Sequence, residues 1–275
     1  MAEDTPESRS SRAGPDRSGA CPRVRHRYVF VAGLHRTGTS LLARIIGSHP
    51  EIATIEGAQV PENEGCYLQG AIPHTARHGV PGEYALDPEQ HFTEDSRFNT
   101  LETRLRLEHD WGEWFDPGKP WRLEKSPVNL ARMRLLQALF PMAHFIVVTR
   151  HPLVMAHALQ KWSGKSVDEL AAYGVAAYRR MLEDAAYCHA VMIVRYEDMV
   201  ASPGAYCRAF ESFLALGPGI DPPDMRDGNR DYDPAECEDG ALPELGYGPG
   251  GHIDDFAMHV RHPLRDRQEA TVKHM

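Results

Sequence analysis

The chain has 275 residues, of which 42% are hydrophobic and 25% are charged, so it can bury a full single-domain core. Its formal net charge of −9 argues against a general binder of nucleic acids or anionic membranes, because such proteins neutralise phosphates with a basic surface. The five cysteines lack C-x-x-C spacing, which argues against a disulfide framework or a zinc site and favours a reducing compartment.

The first predicted element is an N-terminal tail. Residues 1–27 are rich in Ser, Arg, Pro and acidic residues and have no apolar core, which predicts a disordered tail and not a signal peptide. No stretch of the chain approaches the ~20 apolar residues that a membrane-spanning helix requires. We therefore expect a cytoplasmic protein without a membrane span.

A strand, a loop and a helix follow the tail directly. The apolar run Tyr28–Ala32 leads into the loop Gly33–Ser40, and the next residues are apolar at helical spacing. Small residues at Gly38, Thr39 and Ser40 let backbone amides approach an anion closely, and the N-terminus of the following helix favours negative charge. The pattern predicts a phosphate-binding loop.

The residues of this loop discriminate among phosphorylated ligands. Gly33, Gly38 and Ser40 match the nucleotide-binding pattern G-x-x-x-x-G-K-[ST], but Thr39 stands where that pattern has the lysine that reaches the β and γ phosphates. The positive charge lies instead at Arg36, whose donors can bind a diphosphate-like group bidentately. The loop is therefore poorly suited to a triphosphate.

The segment 57–120 interrupts the alternation of strands and helices. It holds several prolines and glycines together with the aromatic residues Tyr67, Tyr84, Phe92, Phe98, Trp111, Trp114 and Phe115. We interpret it as a cap over the sheet that lines an acceptor pocket. The alternative is ordinary core packing, which explains most aromatic residues in most proteins.

The remaining elements complete an α/β pattern. Continuous apolar runs at 145–148 and 191–194 are typical of strands buried on both faces of a parallel sheet. One helix is predicted after Pro127, and another begins at Ser166, where Glu169 completes a capping box. The alternation predicts a parallel sheet flanked by helices, with ligands at the carboxyl ends of the strands. Residues 217–275, rich in Pro, Gly and acids, are expected to form a loop or flap.

Four motifs in the right order resemble those of the sulfotransferases. Arg36-Thr37-Gly38-Thr39-Ser40 is similar to the family's 5′-phosphosulfate loop, [KR]-[ST]-G-[ST]-[TS]. The stretch 123–127 resembles the element that brings a lysine, here Lys125, to the phosphosulfate. The stretch 145–152 resembles the strand whose arginine, here Arg150, binds the 3′-phosphate of the donor, and 194–199 resembles the family's late strand. The similarity spans roughly residues 28–216 and is closest to the bacterial branch and the tyrosylprotein sulfotransferases.

The resemblance implies a P-loop nucleotide-kinase-like fold and a PAPS-dependent reaction. A sulfuryl group would pass from 3′-phosphoadenosine 5′-phosphosulfate (PAPS) to a hydroxyl of a small molecule or glycan, releasing adenosine 3′,5′-bisphosphate. Residues 36–40, Lys125 and Arg150 would bind the donor, and Lys125 would also act in catalysis. No metal ion is expected, because fixed cations meet the leaving diphosphate.

The general base has two candidates. Glu56 falls close to the spacing at which tyrosylprotein sulfotransferases place a glutamate after the first helix. Glu64 lies in the polar, turn-like stretch 61–65 beside the expected site. Spacing alone does not choose between them, because a base is defined by its reach to the acceptor proton.

Two other functions compete with sulfuryl transfer at this point. A small-molecule kinase with the same loop architecture would use Glu197 or Asp198 as a metal partner, and Thr39 argues against it. A non-catalytic nucleotide-binding protein is mildly favoured by Ala158, which stands eight residues after Arg150, where many sulfotransferases have a serine. The sequence specifies neither the acceptor nor an oligomeric state.

Overall fold

The structure is a computed structural model that describes residues 26–73, 80–232 and 240–262. The predicted N-terminal tail lies outside these ranges apart from residues 26 and 27, and so do parts of the predicted C-terminal loop. Within the described ranges, no helix has the length and apolar character needed to cross a bilayer.

A central sheet organises the described part of the chain. Its strands are β1 (Arg27–Ala32), β2 (Ile52–Thr54), β3 (Trp121–Lys125), β4 (His144–Thr149), β5 (Val191–Arg195) and β6 (His259–Arg261). The strand order is β2-β3-β1-β4-β5-β6, in which β1 to β5 are parallel and β6 is antiparallel to β5. The strands predicted at 28–32, 145–148 and 191–194 are confirmed, and every residue of β4 and β5 is buried.

Helices cover both faces of this sheet. They are α1 (Thr39–Gly47), α2 (Leu101–Gly112), α3 (Met133–Leu139), α4 (Pro152–Gln160), α5 (Val167–Ala185), α6 (Tyr196–Ala201) and α7 (Pro203–Phe213). Alternate residues of β1 belong to different cores, since side chains of a strand point to opposite faces. Tyr28 and Phe30 pack in the core that includes residues of α2 to α5, whereas Val29 and Val31 pack in the core of α1, α6 and α7. The predicted α/β fold, a parallel sheet flanked by helices, is confirmed.

The two predicted helix starts fare differently. Helix α5 begins as predicted: the Ser166 hydroxyl accepts a hydrogen bond from the Glu169 backbone, and the Glu169 carboxylate accepts one from the Ser166 backbone. The helix expected directly after Pro127 begins instead as a 3-10 turn over Pro127–Ala131. Arg132, with a φ of −130°, interrupts it before α3.

The large aromatic residues of segment 57–120 pack mainly in the core. Tyr84, Trp111 and Phe115 are buried in the cluster that contains Tyr28 and Phe30 of β1. Core packing therefore accounts for the burial of these three rings.

The C-terminal part of the described chain is anchored to the sheet. Leu242, Leu245 and Tyr247 are fully buried. The Arg195 guanidinium at the end of β5 donates to the carbonyls of Leu245, Gly246 and Asp254 at 3.4, 3.2 and 2.8 Å. This segment adopts little regular structure but packs closely on the carboxyl end of the sheet.

Candidate functional site

The predicted phosphate loop connects β1 to α1. Arg36 and Gly38 both adopt left-handed backbone conformations, with φ of 67° and 103°. The Thr37 hydroxyl donates to the Leu34 carbonyl at 2.7 Å and closes the loop on itself. No side chain caps α1, and the first amides of a helix have no intrahelical acceptor. The loop therefore presents unsatisfied donors at a helix N-terminus, which is a favourable place for an anion.

Two glycines are required by close contacts around this loop. A Cβ atom on Gly33 would lie 2.6 Å from the Val148 carbonyl oxygen of β4. A Cβ atom on Gly38 would lie 2.9 Å from the ring of Tyr196, in a backbone conformation that other residues rarely adopt. The loop is thus held tightly against β4 and α6.

Arg150 follows β4, the strand beside β1, so it reaches the same edge of the sheet as the loop. Its Nη1 donates to the Arg36 carbonyl at 3.0 Å, and its Nε donates to the Asn229 side-chain oxygen at 2.8 Å. Its guanidinium carbon lies 4.7 Å from the centre of the Tyr196 ring. The residue is only 7% exposed, yet its Nη2 is buried without a hydrogen-bond partner. A buried cation with an unsatisfied donor beside an anion loop fits a second anionic group.

Lys125 and Glu64 meet on the other side of β1. Lys125 ends β3, and its ammonium lies 3.2 Å from a Glu64 carboxylate oxygen, with the two residues 6% and 9% exposed. Burial raises the pKa of Glu64 to about 6, although Lys125 acts in the opposite direction. The structure thus pairs the predicted catalytic lysine with one of the two candidate bases.

Glu124, which sequence reasoning missed, holds this pair in place. Its fully buried carboxylate accepts hydrogen bonds from the Gly65 backbone at 3.0 Å and from the side chains of Ser126 and Asn129. Burial raises the pKa of Glu124. Because Glu124 precedes Lys125 and Gly65 follows Glu64, these bonds fix the two chain segments that carry the ion pair.

A cavity of about 530 Å³ opens beside Lys125. Its described lining includes Ser40, Arg44, Thr54, Glu56, Glu62, Asn63 and Lys125, and it contains no aromatic ring. Glu56 is exposed and accepts a hydrogen bond from the Thr54 hydroxyl at 2.8 Å, while Glu62 accepts one from the Ser40 hydroxyl at 3.1 Å. Segment 57–120 contributes Glu62 and Asn63 to this cavity.

A model of the sulfotransferase family matches residues 28–217, which include the phosphate loop, Lys125 and Arg150. The chain belongs to the sulfotransferase family. This assignment supports sulfuryl transfer as the reaction of the enzyme. The predicted resemblance, which spans residues 28–216, is confirmed.

This sulfotransferase is similar to solved structures of two bacterial sulfotransferases and of a retinol dehydratase. A crystal structure of a sulfotransferase from Alicyclobacillus acidocaldarius matches with a TM-score of 0.48 and 19% identity, over 75% of this chain and 89% of that chain. One from Mycobacterium tuberculosis H37Rv matches with a TM-score of 0.41 and 16% identity, over 75% and 70%. A retinol dehydratase in complex with androsterone and inactive cofactor PAP matches with a TM-score of 0.34 and 13% identity, over 71% and 61%. No curated protein sequence gives a significant match.

Two carboxylates, Glu197 and Asp198, lie directly after β5. One oxygen of Glu197 accepts hydrogen bonds from the His151 backbone at 2.9 Å and from the Asn229 side chain at 3.1 Å. Asp198 forms an ion pair with Arg195 at 2.6 Å. Both carboxylates of the kinase alternative therefore already have partners within the sulfotransferase. Over the described ranges, no group of three or more His, Cys, Asp or Glu residues is arranged to hold a metal ion.

His35, the histidine of the phosphate loop, is half-buried and packs edge-on against Tyr84, with ring centres 5.3 Å apart. Burial, together with the nearby cations Lys125 and Arg36, lowers the pKa of His35 to about 4. The imidazole is therefore neutral at pH 7 and a weak base. The Tyr84 hydroxyl also donates to the Gly33 carbonyl at 2.9 Å, so the ring supports the loop from the core side.

Proposed function

We propose that this sulfotransferase moves a sulfuryl group from PAPS to a hydroxyl group of a small-molecule or glycan acceptor. The observation that carries the proposal is the Arg150 guanidinium, which is buried beside the phosphate loop with Nη2 unsatisfied. A 3′-phosphate would supply the missing acceptor. The helix N-terminus at residues 38–40 would bind the phosphosulfate end of the same donor.

The proposed residue roles follow from where charge develops. When bound, PAPS supplies the sulfuryl group, and breaking its S–O bond leaves negative charge on the bridging oxygen. The loop amides, the Arg36 guanidinium and the Lys125 ammonium stabilise that charge, since fixed donors cost no reorganisation during the reaction. These fixed cations make a metal ion unnecessary in the proposal.

We propose Glu64 as the general base. Its carboxylate lies 3.2 Å from the Lys125 ammonium, so it is held beside the group that faces the departing sulfuryl group. A pKa of about 6 makes it a stronger proton acceptor than an ordinary carboxylate, while it is still mostly ionised at pH 7. Glu64 takes the proton of the acceptor hydroxyl as the new O–S bond forms.

The cavity beside Lys125 is the proposed acceptor site. Its volume of about 530 Å³ lies within the usual range for small-molecule sites. Glu56 lines this cavity with an exposed carboxylate, and in the proposal it binds the acceptor. In this assignment Glu56 binds the acceptor and Glu64 removes its proton.

We also propose that the enzyme works in the cytoplasm. The described cysteines, Cys66, Cys188 and Cys207, are all free and buried. Free thiols are typical of proteins in a reducing compartment. Cys21 and Cys237 lie outside the described residues.

Calorimetric titration tests the proposed donor. Adenosine 3′,5′-bisphosphate is expected to bind in the presence of EDTA, with higher affinity than ATP in the presence of magnesium. A preference for magnesium ATP would overturn the proposal in favour of a kinase. Screening of hydroxyl compounds with labelled PAPS then identifies the acceptor class, and transfer of label distinguishes the enzyme from a protein that only binds the nucleotide.

A further inference from the structure

We infer that Asn229 is a positioning residue that makes Arg150 selective for a 3′-phosphate. The inference rests on the proposed function, because it takes Arg150 as the group that binds this phosphate. Asn229 lies after α7, in a part of the predicted C-terminal loop 217–275 whose sequence has no recognisable motif. The structure nevertheless places its side chain directly on the Arg150 guanidinium.

Four contacts together fix the Arg150 guanidinium. The Asn229 side-chain oxygen accepts from Nε at 2.8 Å, and the Arg36 carbonyl accepts from Nη1 at 3.0 Å. The centres of the Tyr196 and Tyr232 rings lie 4.7 and 5.7 Å from the carbon of the group. Nη2 is then left as the corner without a protein partner. Loss of the Nε contact would free the planar group to turn, and the unpaired Nη2 would no longer be directed at one place.

The Asn229 amide is itself held in one orientation. Its side-chain nitrogen donates to Glu197 at 3.1 Å, and its backbone nitrogen donates to Asp227 at 2.9 Å. A guanidinium only donates hydrogen bonds, so the amide oxygen must face Arg150, and the amide NH₂ is then left to face Glu197. Glu197 is anchored in turn by the backbone of His151 at 2.9 Å. A continuous chain of hydrogen bonds thus sets the orientation of the guanidinium.

The amide has an advantage over a carboxylate at this position. An amide oxygen orients Arg150 without neutralising its charge, so the full positive charge stays available for a phosphate. An aspartate would form an ion pair with Arg150 and would place a second negative charge against Glu197. Asparagine therefore orients Arg150 without adding a negative charge in direct contact with it.

The test compares two nucleotides by calorimetry, adenosine 3′,5′-bisphosphate and adenosine 5′-monophosphate, which differ only in the 3′-phosphate. For Asn229→Ala we expect the ratio of their affinities to fall about tenfold, as for loss of a hydrogen bond to a charged group. The affinity for the monophosphate should stay unchanged, and Asn229→Asp should lower the ratio further. Asn99→Ala is the matched control, because Asn99 is exposed and bonds only to the Glu94 backbone among the contacts of its side chain described here, at 2.8 Å.

The outcomes separate this inference from the proposed function. If the unaltered protein does not prefer the bisphosphate, the proposed function fails and the inference fails with it. If Arg150→Ala abolishes the preference but Asn229→Ala retains it, the inference alone is overturned. An equal loss of affinity for both nucleotides in Asn229→Ala would show a purely structural role and would also overturn it.

Discussion

Replacing Glu64 by glutamine measures how strongly burial opposes ionisation of this carboxyl group. Burial raises its pKa from 4.5 to about 6 in the folded protein. A group whose folded pKa is raised stabilises the folded state below its unfolded pKa, and that stabilisation is lost as pH rises through the folded value. One pKa unit corresponds to about 1.4 kcal/mol. As pH rises, ionisation of Glu64 should therefore lower the free energy of unfolding of the wild-type protein by about 2 kcal/mol.

Urea unfolding at pH 4.5 and pH 8, without nucleotide, provides the assay. The glutamine side chain does not titrate, so the free energy of unfolding of Glu64→Gln should not contain this loss. Relative to the variant, the wild-type protein should therefore lose most of the about 2 kcal/mol between the two pH values. Other titrating groups cancel in the comparison. Glu56→Gln is the matched control, because it makes the same chemical change at an exposed side chain.

The sign of the pH-dependent stability difference between the wild-type protein and Glu64→Gln shows whether the pKa of Glu64 is raised. A wild-type protein that gains stability over the variant as pH rises would show that attraction by Lys125 outweighs burial. A difference near zero would show that the two effects cancel. Either result would refute the raised pKa and remove the main reason for preferring Glu64 as the base.

Further predictions concern turnover, the phosphate loop and the C-terminal segment. With an identified acceptor, Glu64→Gln should lower kcat by about 10²-fold or more at unchanged bisphosphate affinity. Glu56→Gln should mainly raise KM for the acceptor. The reverse pattern in steady-state kinetics would assign the base to Glu56. Gly38→Ala should weaken bisphosphate binding in calorimetry, because the new Cβ atom would lie 2.9 Å from the Tyr196 ring and the backbone there is left-handed. Gly112→Ala is the control and should bind normally, because no atom lies within 4 Å of the added Cβ. Arg195→Met should expose the segment around residue 246 to limited proteolysis, since three carbonyls lose their donor; an unchanged cleavage pattern would contradict this.

The strands that could be predicted are those buried by apolar residues alone. The runs within β1, β4 and β5 are continuously apolar, as the interior of a parallel sheet requires. Strand β3 was not predicted, because its sequence alternates apolar and charged residues. Its Arg122 and Glu124 are nevertheless buried, since Arg122 pairs with Glu108 at 3.2 Å and Glu124 accepts hydrogen bonds from its neighbours. Partners that lie far away along the chain cannot be predicted from the local sequence.

In the candidate site, too, local motifs could be predicted from the sequence and long-range partners could not. The phosphate loop and the residues Lys125 and Arg150 could be proposed from motifs, because each stands at a fixed place in a recognisable stretch. The pairing of Lys125 with Glu64 could not, since 61 positions separate them in the chain. Asn229 could not either, because it reaches Arg150 across 79 positions from a segment without a pattern.

The position of β1 between β3 and β4 has a consequence for how such an enzyme can change. In the proposed assignment, the 3′-phosphate is bound on the β4 side, while the acceptor cavity lies on the β2 and β3 side and shares Ser40 and Lys125 with the donor site. Substitutions at residues such as Glu56 or Asn63 then alter acceptor choice without touching the groups around Arg150. The acceptor specificity of the proposed site could therefore be changed by substitution or by directed engineering while the 3′-phosphate contacts are kept.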